Sequence, residues 1–291
     1  MLEINKIYNM DCLEGMKRIQ DSSIECAITD PPYFINKMDN NWDKDDINKS
    51  KAKAGVIGGL PVGMKFDAKQ GENLEEYMTI VANELSRVLK PGSFCLVFSQ
   101  ARLSHRMANA FENVGFEIRD MLFWKRKSQP KAFSQNHFVR RMNISNREKE
   151  EIIKKLDNRK TPQLMQEVEI VILCQKPRDG TFVNNWLKYG VGLIDTDFQD
   201  RFPSTVMEFE RDSNINHITP KPVQLIKYLL KIFTKEGDLV IDPFMGSGTT
   251  AIACIDTNRN YIGFELDEGY HSMAQKRISG HISKKVKNEM A

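Results

Sequence analysis

Two stretches far apart in the chain carry the residues best suited to chemistry. The first is Asp30-Pro31-Pro32-Tyr33. It follows Ile24-Glu25-Cys26-Ala27-Ile28-Thr29, an apolar run that predicts a buried strand. An acid, two prolines and an aromatic ring thus stand at a strand end, where open α/β sheets place their sites. A Pro-rich turn opened by Asp would account for the same residues without any function. The second stretch is Asp242-Pro243-Phe244-Met245-Gly246-Ser247-Gly248-Thr249-Thr250, again after a buried-strand pattern, Leu239-Val240-Ile241. A helix over 251–256 and a strand over 260–264 follow, and that strand ends at Glu265.

Strand, Gly-rich turn, helix, strand and terminal acid form the wiring of a nucleoside-cofactor half-site. Gly246 and Gly248 would let a ligand approach the backbone closely, and a carboxylate at Glu265 could accept both ribose hydroxyls. A phosphate-binding loop would need Gly-Lys-Ser/Thr, but Thr249 follows Gly248. A dinucleotide loop would need a third glycine where Thr249-Thr250-Ala251 stands. The turn therefore suits a ligand without a pyrophosphate.

These residues need elements to position them. The 291 residues suffice for one large domain or a domain carrying an insertion. Amphipathic spacing predicts helices over 12–20, 74–89, 101–113, 222–233 and 268–278, with a frayed Lys-rich tail beyond. Further strands are expected at 3–9, 93–98, 116–124 and 169–174. Ser145-Asn146-Arg147-Glu148 is a capping-box pattern that should start a helix running to about Leu156. Residues 34–71 show no periodicity; directly after the first stretch they read as a mobile lid or a surface insertion. Residues 178–216 read as loop.

Composition excludes several classes. The chain has no apolar signal region and no 18-residue apolar run, so a cytoplasmic protein without a membrane partner is expected. Five scattered cysteines without a Cys-x-x-Cys pair, and five unclustered histidines, speak against disulfides and against a metal. Net charge is +3, but residues 125–160 hold twelve Lys or Arg against four acids, leaving the remainder at −5. A solvated helix face would explain part of this; the concentration favours a polyanion contact.

Together the two stretches resemble the amino-group DNA methyltransferases, in which the first motif receives the target base and the second binds S-adenosylmethionine. The order here, catalytic motif first, is similar to the circularly permuted beta group, adenine-N6 type. His217-Ile218-Thr219-Pro220-Lys221-Pro222-Val223, Asn9-Met10-Asp11-Cys12-Leu13 and Leu89-Lys90-Pro91-Gly92 resemble further segments of that family. The likeness covers most of 1–124 and 217–291. It implies an α/β fold: a Rossmann-like, permuted S-adenosylmethionine-dependent methyltransferase with a mostly parallel seven-stranded sheet and an inserted DNA-recognition region. The organisation implied is a catalytic half at 1–124, recognition insertions at 125–216 around a returning strand at 168–174, and a cofactor half at 217–291.

The resemblance also implies roles. Asp30 and the Pro31 carbonyl would accept the two N–H bonds of an exocyclic amino group, so that its nitrogen becomes pyramidal and attacks the methyl group. Pro31 and Pro32 would fix the backbone. Tyr33 would stack on the flipped base, and Phe34 would help close the pocket. Asp11, Cys12, Lys221, Asp242, Phe244, Gly246, Ser247, Gly248, Thr249 and Glu265 would surround the cofactor. Asp11 could equally cap the helix that follows it. Cytosine-C5 methylation attacks through a Cys after Pro, and no Pro-Cys occurs.

Lys125, Arg126, Lys127, Arg140, Arg141 and Arg147 are the candidate DNA contacts, within the segment 125–165. The beta group usually places recognition at the position of 178–216, but that stretch carries a net charge of −3. Both segments are therefore expected to form the cleft, with 125–165 holding the backbone. Double-stranded DNA, a cognate restriction endonuclease and a homodimer are the partners the family suggests. Cytosine-N4 methylation, which more often shows Ser in place of Asp30, protein-glutamine methylation, which favours Asn there, and a silent DNA-binding module are the alternatives.

Overall fold

A computed structural model describes residues 2–32, 68–127, 132–162, 164–197, 202–210 and 221–289. Tyr33, Phe34, most of the 34–71 stretch and His217–Pro220 lie outside the described residues. The described strands form one eight-stranded sheet: β1 (Lys6–Asn9), β2 (Ile24–Thr29), β3 (Leu89–Ser99), β4 (Glu117–Lys125), β5 (Val168–Gln175), β6 (Val206–Glu208), β7 (Leu239–Asp242) and β8 (Asn260–Glu265). Their order is β1-β8-β7-β2-β3-β5-β4-β6. All neighbours run parallel except β5, which is antiparallel to both β3 and β4.

The sheet thus has eight strands where seven are expected. The extra one, β6, pairs with β4 at the sheet's edge, placing Lys125 opposite Glu208. Three residues are too few to show a period of two, so the strand is invisible in an acidic, irregular stretch. The described helices are α1 (Cys12–Met16), α2 (Ala68–Val88), α3 (Ser104–Glu112), α4 (Asn136–Arg140), α5 (Asn146–Lys155), α6 (Phe182–Tyr189), α7 (Val223–Phe233), α8 (Thr249–Asp256) and α9 (Glu268–Glu289).

Helices cover both faces. On one, Met16, Leu74, Met78, Val81, Leu85, Met107 and Phe111 from α1, α2 and α3 pack against Ala27, Cys95, Val97, Ile172 and Ile241. On the other, Leu225, Ile226, Leu229, Ala251, Ala274 and Ile278 from α7, α8 and α9 pack against Cys26, Ile28, Leu96, Val171 and Val240. A sheet buried on both sides explains the unbroken apolar runs of β2, β3 and β7.

Several elements differ from expectation. The first helix stops at Met16 rather than near 20, because the Arg87 guanidinium donates to the carbonyls of Met16 (2.7 Å) and Ile19 (2.9 Å) and ends it. The tail is not frayed at 278: α9 continues to Glu289, with Lys285 donating to the Ile255 carbonyl. Residues 178–216 contain α6 as well as β6; α6 is capped by the Thr181 hydroxyl and closed by left-handed Gly190. The capping box forms as expected, with Ser145 and Glu148 bonded reciprocally. No helix among the described residues is long and apolar enough to cross a membrane.

Candidate active site

The site lies at the carboxyl ends of β2, β7 and β8. Strands β2 and β7 are neighbours, with Cys26 opposite Val240 and Ala27 opposite Ile241. Asp30 and Asp242 thereby come together although they are far apart in sequence. Strand β8 is next, and its end, Glu265, faces Asn9 of β1. Four strands from both ends of the chain converge on one crevice, the arrangement that parallel sheets use for ligands.

Asp30 is ion-paired. Lys221 Nζ, just before α7, donates to Asp30 Oδ2 at 2.5 Å and lies 3.4 Å from Glu169 Oε2 at the start of β5. Its side chain is only 9% exposed, and its ammonium lies 5.0 Å from the centroid of the Phe98 ring. Burial alone would lower the Lys221 pKa, but the two carboxylates outweigh it and hold it above the ordinary lysine value. Lys221, expected beside the cofactor, is engaged with the Asp30 carboxylate and with Glu169 at the start of β5. Pro31 is buried and Pro32 half-buried, which fixes the chain as it leaves β2.

The second stretch is a turn built around Asp242. Its Oδ2 accepts from the Thr250 hydroxyl at 2.6 Å and its Oδ1 from the Phe244 amide at 3.1 Å. Burial pushes the Asp242 carboxyl up to about 7 against these hydrogen bonds. Gly246 (φ 53°) and Gly248 (φ 78°) both adopt left-handed backbone, which other residues rarely adopt. A Cβ on Gly248 would also stand 3.2 Å from Ala274 Cβ and Ile278 Cδ1. From α9, Arg277 Nη1 donates to the Ser247 carbonyl (3.0 Å), the Ser247 hydroxyl (3.1 Å) and the Thr249 hydroxyl (2.8 Å).

Glu265 closes the far side. Its Oε2 accepts from the Gly246 amide at 2.8 Å and its Oε1 from the Asp267 amide at 2.9 Å. Burial raises its pKa and these two amides oppose the rise. Asp11 caps α1, with Oδ1 accepting from the amides of Leu13 (2.9 Å) and Glu14 (3.3 Å). Cys12 packs into the core 3.7 Å from the Tyr77 hydroxyl, and burial pushes its thiol up to about 12. The Tyr77 ring in turn lies 6.2 Å from that of Phe244.

This cradle fits a nucleoside cofactor. The turn at Gly246–Gly248 offers bare backbone, Glu265 offers a fixed carboxylate at a strand end, and the Phe244 and Tyr77 rings offer an apolar wall. Motif reading missed Glu169, Phe98, Tyr77 and Arg277, and it included Thr250 in the second stretch without giving it a role. Glu169, Phe98 and Tyr77 are isolated residues in core-like strands or a helix, and Arg277 is one charge on a long polar helix, so none carries a local signal.

The candidate DNA contacts divide into three groups. Arg140, Arg141 and Arg147 are exposed on or beside α4 and α5, although Arg147 pairs with Glu151 at 3.2 Å. Lys125 and Lys127 pair with Glu208 (2.8 Å) and Glu210 (3.0 Å), so the acidic segment folds back on the basic one. Arg126 does not present a surface charge: its side chain is 14% exposed, 3.3 Å from Glu169. The extended pairing continues one residue past β4, with the Arg126 amide on the Glu167 carbonyl, so Arg126 points to the face opposite Lys125.

Comparison with known proteins agrees with this geometry. The family model described as DNA methylase matches residues 24–276. The chain is 30% identical to the type II methyltransferase M.HindIII of Haemophilus influenzae, over 94% of this chain and 95% of that protein. It is 26% identical to M1.MboII of Moraxella bovis, over 94% and 96%. Among solved structures, the M1.HpyAVI complex with S-adenosylmethionine superposes with a TM-score of 0.57 at 20% identity, covering 94% of this chain and 98% of that one. The cytosine-N4-specific PvuII DNA methyltransferase gives 0.61 at 16% identity, covering 93% and 84%. The chain belongs to the N6/N4 DNA methylase family, whose members transfer a methyl group from S-adenosylmethionine to an amino group of a DNA base.

Proposed function

We propose that the chain methylates the exocyclic N6 of adenine at a specific site in double-stranded DNA, on a base turned out of the helix. The observation that carries this reading is Asp30 at the end of β2, held by Lys221 beside the Gly-rich turn that follows β7. S-adenosylmethionine supplies an activated methyl group and its own leaving group. The protein's part is to place the acceptor nitrogen and to stabilise the charge that develops on it.

In this reading the Asp30 carboxylate and the Pro31 carbonyl accept the two N–H bonds of the target amino group. Delocalisation into the ring then weakens and the nitrogen lone pair turns outward. Acceptors already fixed in place do not have to reorganise as positive charge grows, which is where electrostatic catalysis is strongest. Pro31 and Pro32 fix the backbone carrying both, and Lys221 fixes the carboxylate itself. Tyr33 is assigned to stack on the extruded base.

Glu265 is assigned to the ribose hydroxyls, and the Gly246–Gly248 backbone to the methionine end. Asp242, Thr250 and Arg277 hold that turn from beneath. Alignment of donor and acceptor accounts for much of the acceleration. The exposed Arg140, Arg141 and Arg147 are assigned to DNA phosphates, and the type II relatives support a cognate restriction endonuclease as partner. A homodimer is carried over from the family resemblance alone.

Sequencing of modified bases in DNA from cells expressing this chain tests the reading. N6-methyladenine at one recurrent sequence is the expected result. N4-methylcytosine there would replace adenine as the target. Absence of any modified base, from a folded protein that binds DNA, would leave a silent binding module.

A further inference from the structure

Four ionisable side chains from four separate parts of the chain form a continuous line. Arg126 Nε lies 3.3 Å from Glu169 Oε1, Glu169 Oε2 lies 3.4 Å from Lys221 Nζ, and Lys221 Nζ lies 2.5 Å from Asp30 Oδ2. Their side chains are 14%, 17%, 9% and 29% exposed in that order. The charges alternate along the line. Lys221 and Asp30 belong to the site described above; Arg126 and Glu169 have been given no part in it.

Holding Lys221 in place would need only one carboxylate. Burying a second ion pair behind it carries a desolvation cost, which good geometry only partly offsets. The arrangement has a mechanical consequence. With Asp30 as its sole partner, the Lys221 ammonium would be free to follow that carboxylate wherever it moved. With Glu169 on its other side and the Phe98 ring at 5.0 Å, the ammonium is fixed from three directions, and Asp30 is fixed by it.

The outer end of the line is equally well placed. Arg126 follows directly on Lys125, the last residue of β4, where the basic segment leaves the sheet. Its backbone amide donates to the Glu167 carbonyl at 2.7 Å, where that segment returns to β5. The line therefore starts at the neck of the basic insertion and ends on the acceptor carboxylate.

We propose that Glu169 is a positioning residue for methyl transfer, fixing Lys221 and through it Asp30, and that Arg126 anchors this position to the neck of the basic insertion. The inference rests on the assignment of Asp30 as the amino-group acceptor.

The experiment measures single-turnover transfer of labelled methyl from S-adenosylmethionine to unmethylated DNA carrying the site identified by sequencing. Isothermal titration with S-adenosylmethionine and DNA-binding isotherms accompany it. Glu169→Gln should slow transfer about tenfold or more, with both affinities within about threefold of wild type. Glu169→Gln combined with Arg126→Met removes the outer pair as a unit and keeps the charges balanced. This double variant should stay about as slow as Glu169→Gln, because Lys221 still lacks its second carboxylate; recovery to the wild-type rate would assign the loss to the unpaired Arg126 charge and overturn the proposal. If Glu169→Gln does not fold, Glu169→Asp is used instead, with an intermediate rate expected. Wild-type rates in the folded Glu169 variants, or a loss confined to thermal stability, would overturn the proposal. Absence of transfer by the wild-type protein on any DNA would instead overturn the functional reading on which it rests.

Discussion

Lys221 and Asp30 are 191 residues apart in sequence, and their side chains meet at 2.5 Å. One follows a Pro-containing segment ahead of α7; the other ends β2. The pair joins the end of β2 to the start of α7 at the point where chemistry is assigned.

The first prediction concerns that pair. Lys221→Met removes the ammonium and leaves the Asp30 and Glu169 carboxylates without their shared partner. Breaking a buried pair on one side typically costs about 3–5 kcal/mol. If that cost falls on the transition state, transfer slows by about two to four orders of magnitude. Affinity for S-adenosylmethionine should stay within about threefold, because Lys221 is engaged by Asp30 and Glu169. Rapid-quench transfer combined with calorimetric cofactor titration separates the two effects. Weakened cofactor binding with an unchanged transfer rate would return Lys221 to the cofactor pocket.

Much of this site is legible in the sequence because its signals are local. An apolar run followed by Asp-Pro-Pro predicts a strand end, and β2 ends at Thr29. Paired glycines between an apolar strand and a helix predict a bare turn, and Gly246 and Gly248 adopt left-handed backbone there. What is not legible is pairing at long range. Glu169 and Arg126 look like a strand residue and one of twelve basic side chains; only the antiparallel pairing of β4 with β5, in which Trp124 opposes Glu169, brings them together. The short β6 lies below the length at which alternation can be seen, and the extent of α9 depends on contacts with α8 and β8 rather than on its own period.

A second prediction follows from the Asp242 carboxyl, raised by burial to about 7. In the unfolded chain the same group releases its proton near 4. The folded state therefore binds this proton more tightly. The resulting stabilisation is fully present below about pH 4 and is lost as pH rises through about 7. Asp242→Asn removes that dependence while still offering Thr250 an acceptor. The stability of Asp242→Asn relative to wild type should thus increase between about pH 4 and 8, by on the order of 4 kcal/mol at most. Urea unfolding of the cofactor-free protein at several pH values reads this directly. A constant difference across the range would mean that Asp242 is ionised in the fold.

The third prediction separates the exposed basic residues from the half-buried one. Arg140 and Arg141 are exposed, whereas Arg126 is paired within the fold. Replacing Arg140 and Arg141 by Ala should weaken DNA binding. It should also reduce the slope of log affinity against log salt by about 0.9 for each phosphate no longer neutralised, about 1.8 in all. Replacing Arg126 should leave that slope unchanged. Fluorescence anisotropy across a salt titration makes the comparison, and an unchanged slope in the Arg140/Arg141 variant would remove these residues from the interface.

The central claim is that the Asp30 carboxylate accepts from the target amino group while the cofactor is held elsewhere, at the Gly246–Gly248 turn and Glu265. Single-turnover methyl transfer by Asp30→Ala, measured beside calorimetric titration with S-adenosylmethionine, tests it most directly. The expected result is a loss of transfer of about a thousandfold or more, with cofactor affinity within a few-fold of wild type. Near-normal transfer by a folded Asp30→Ala protein would contradict it.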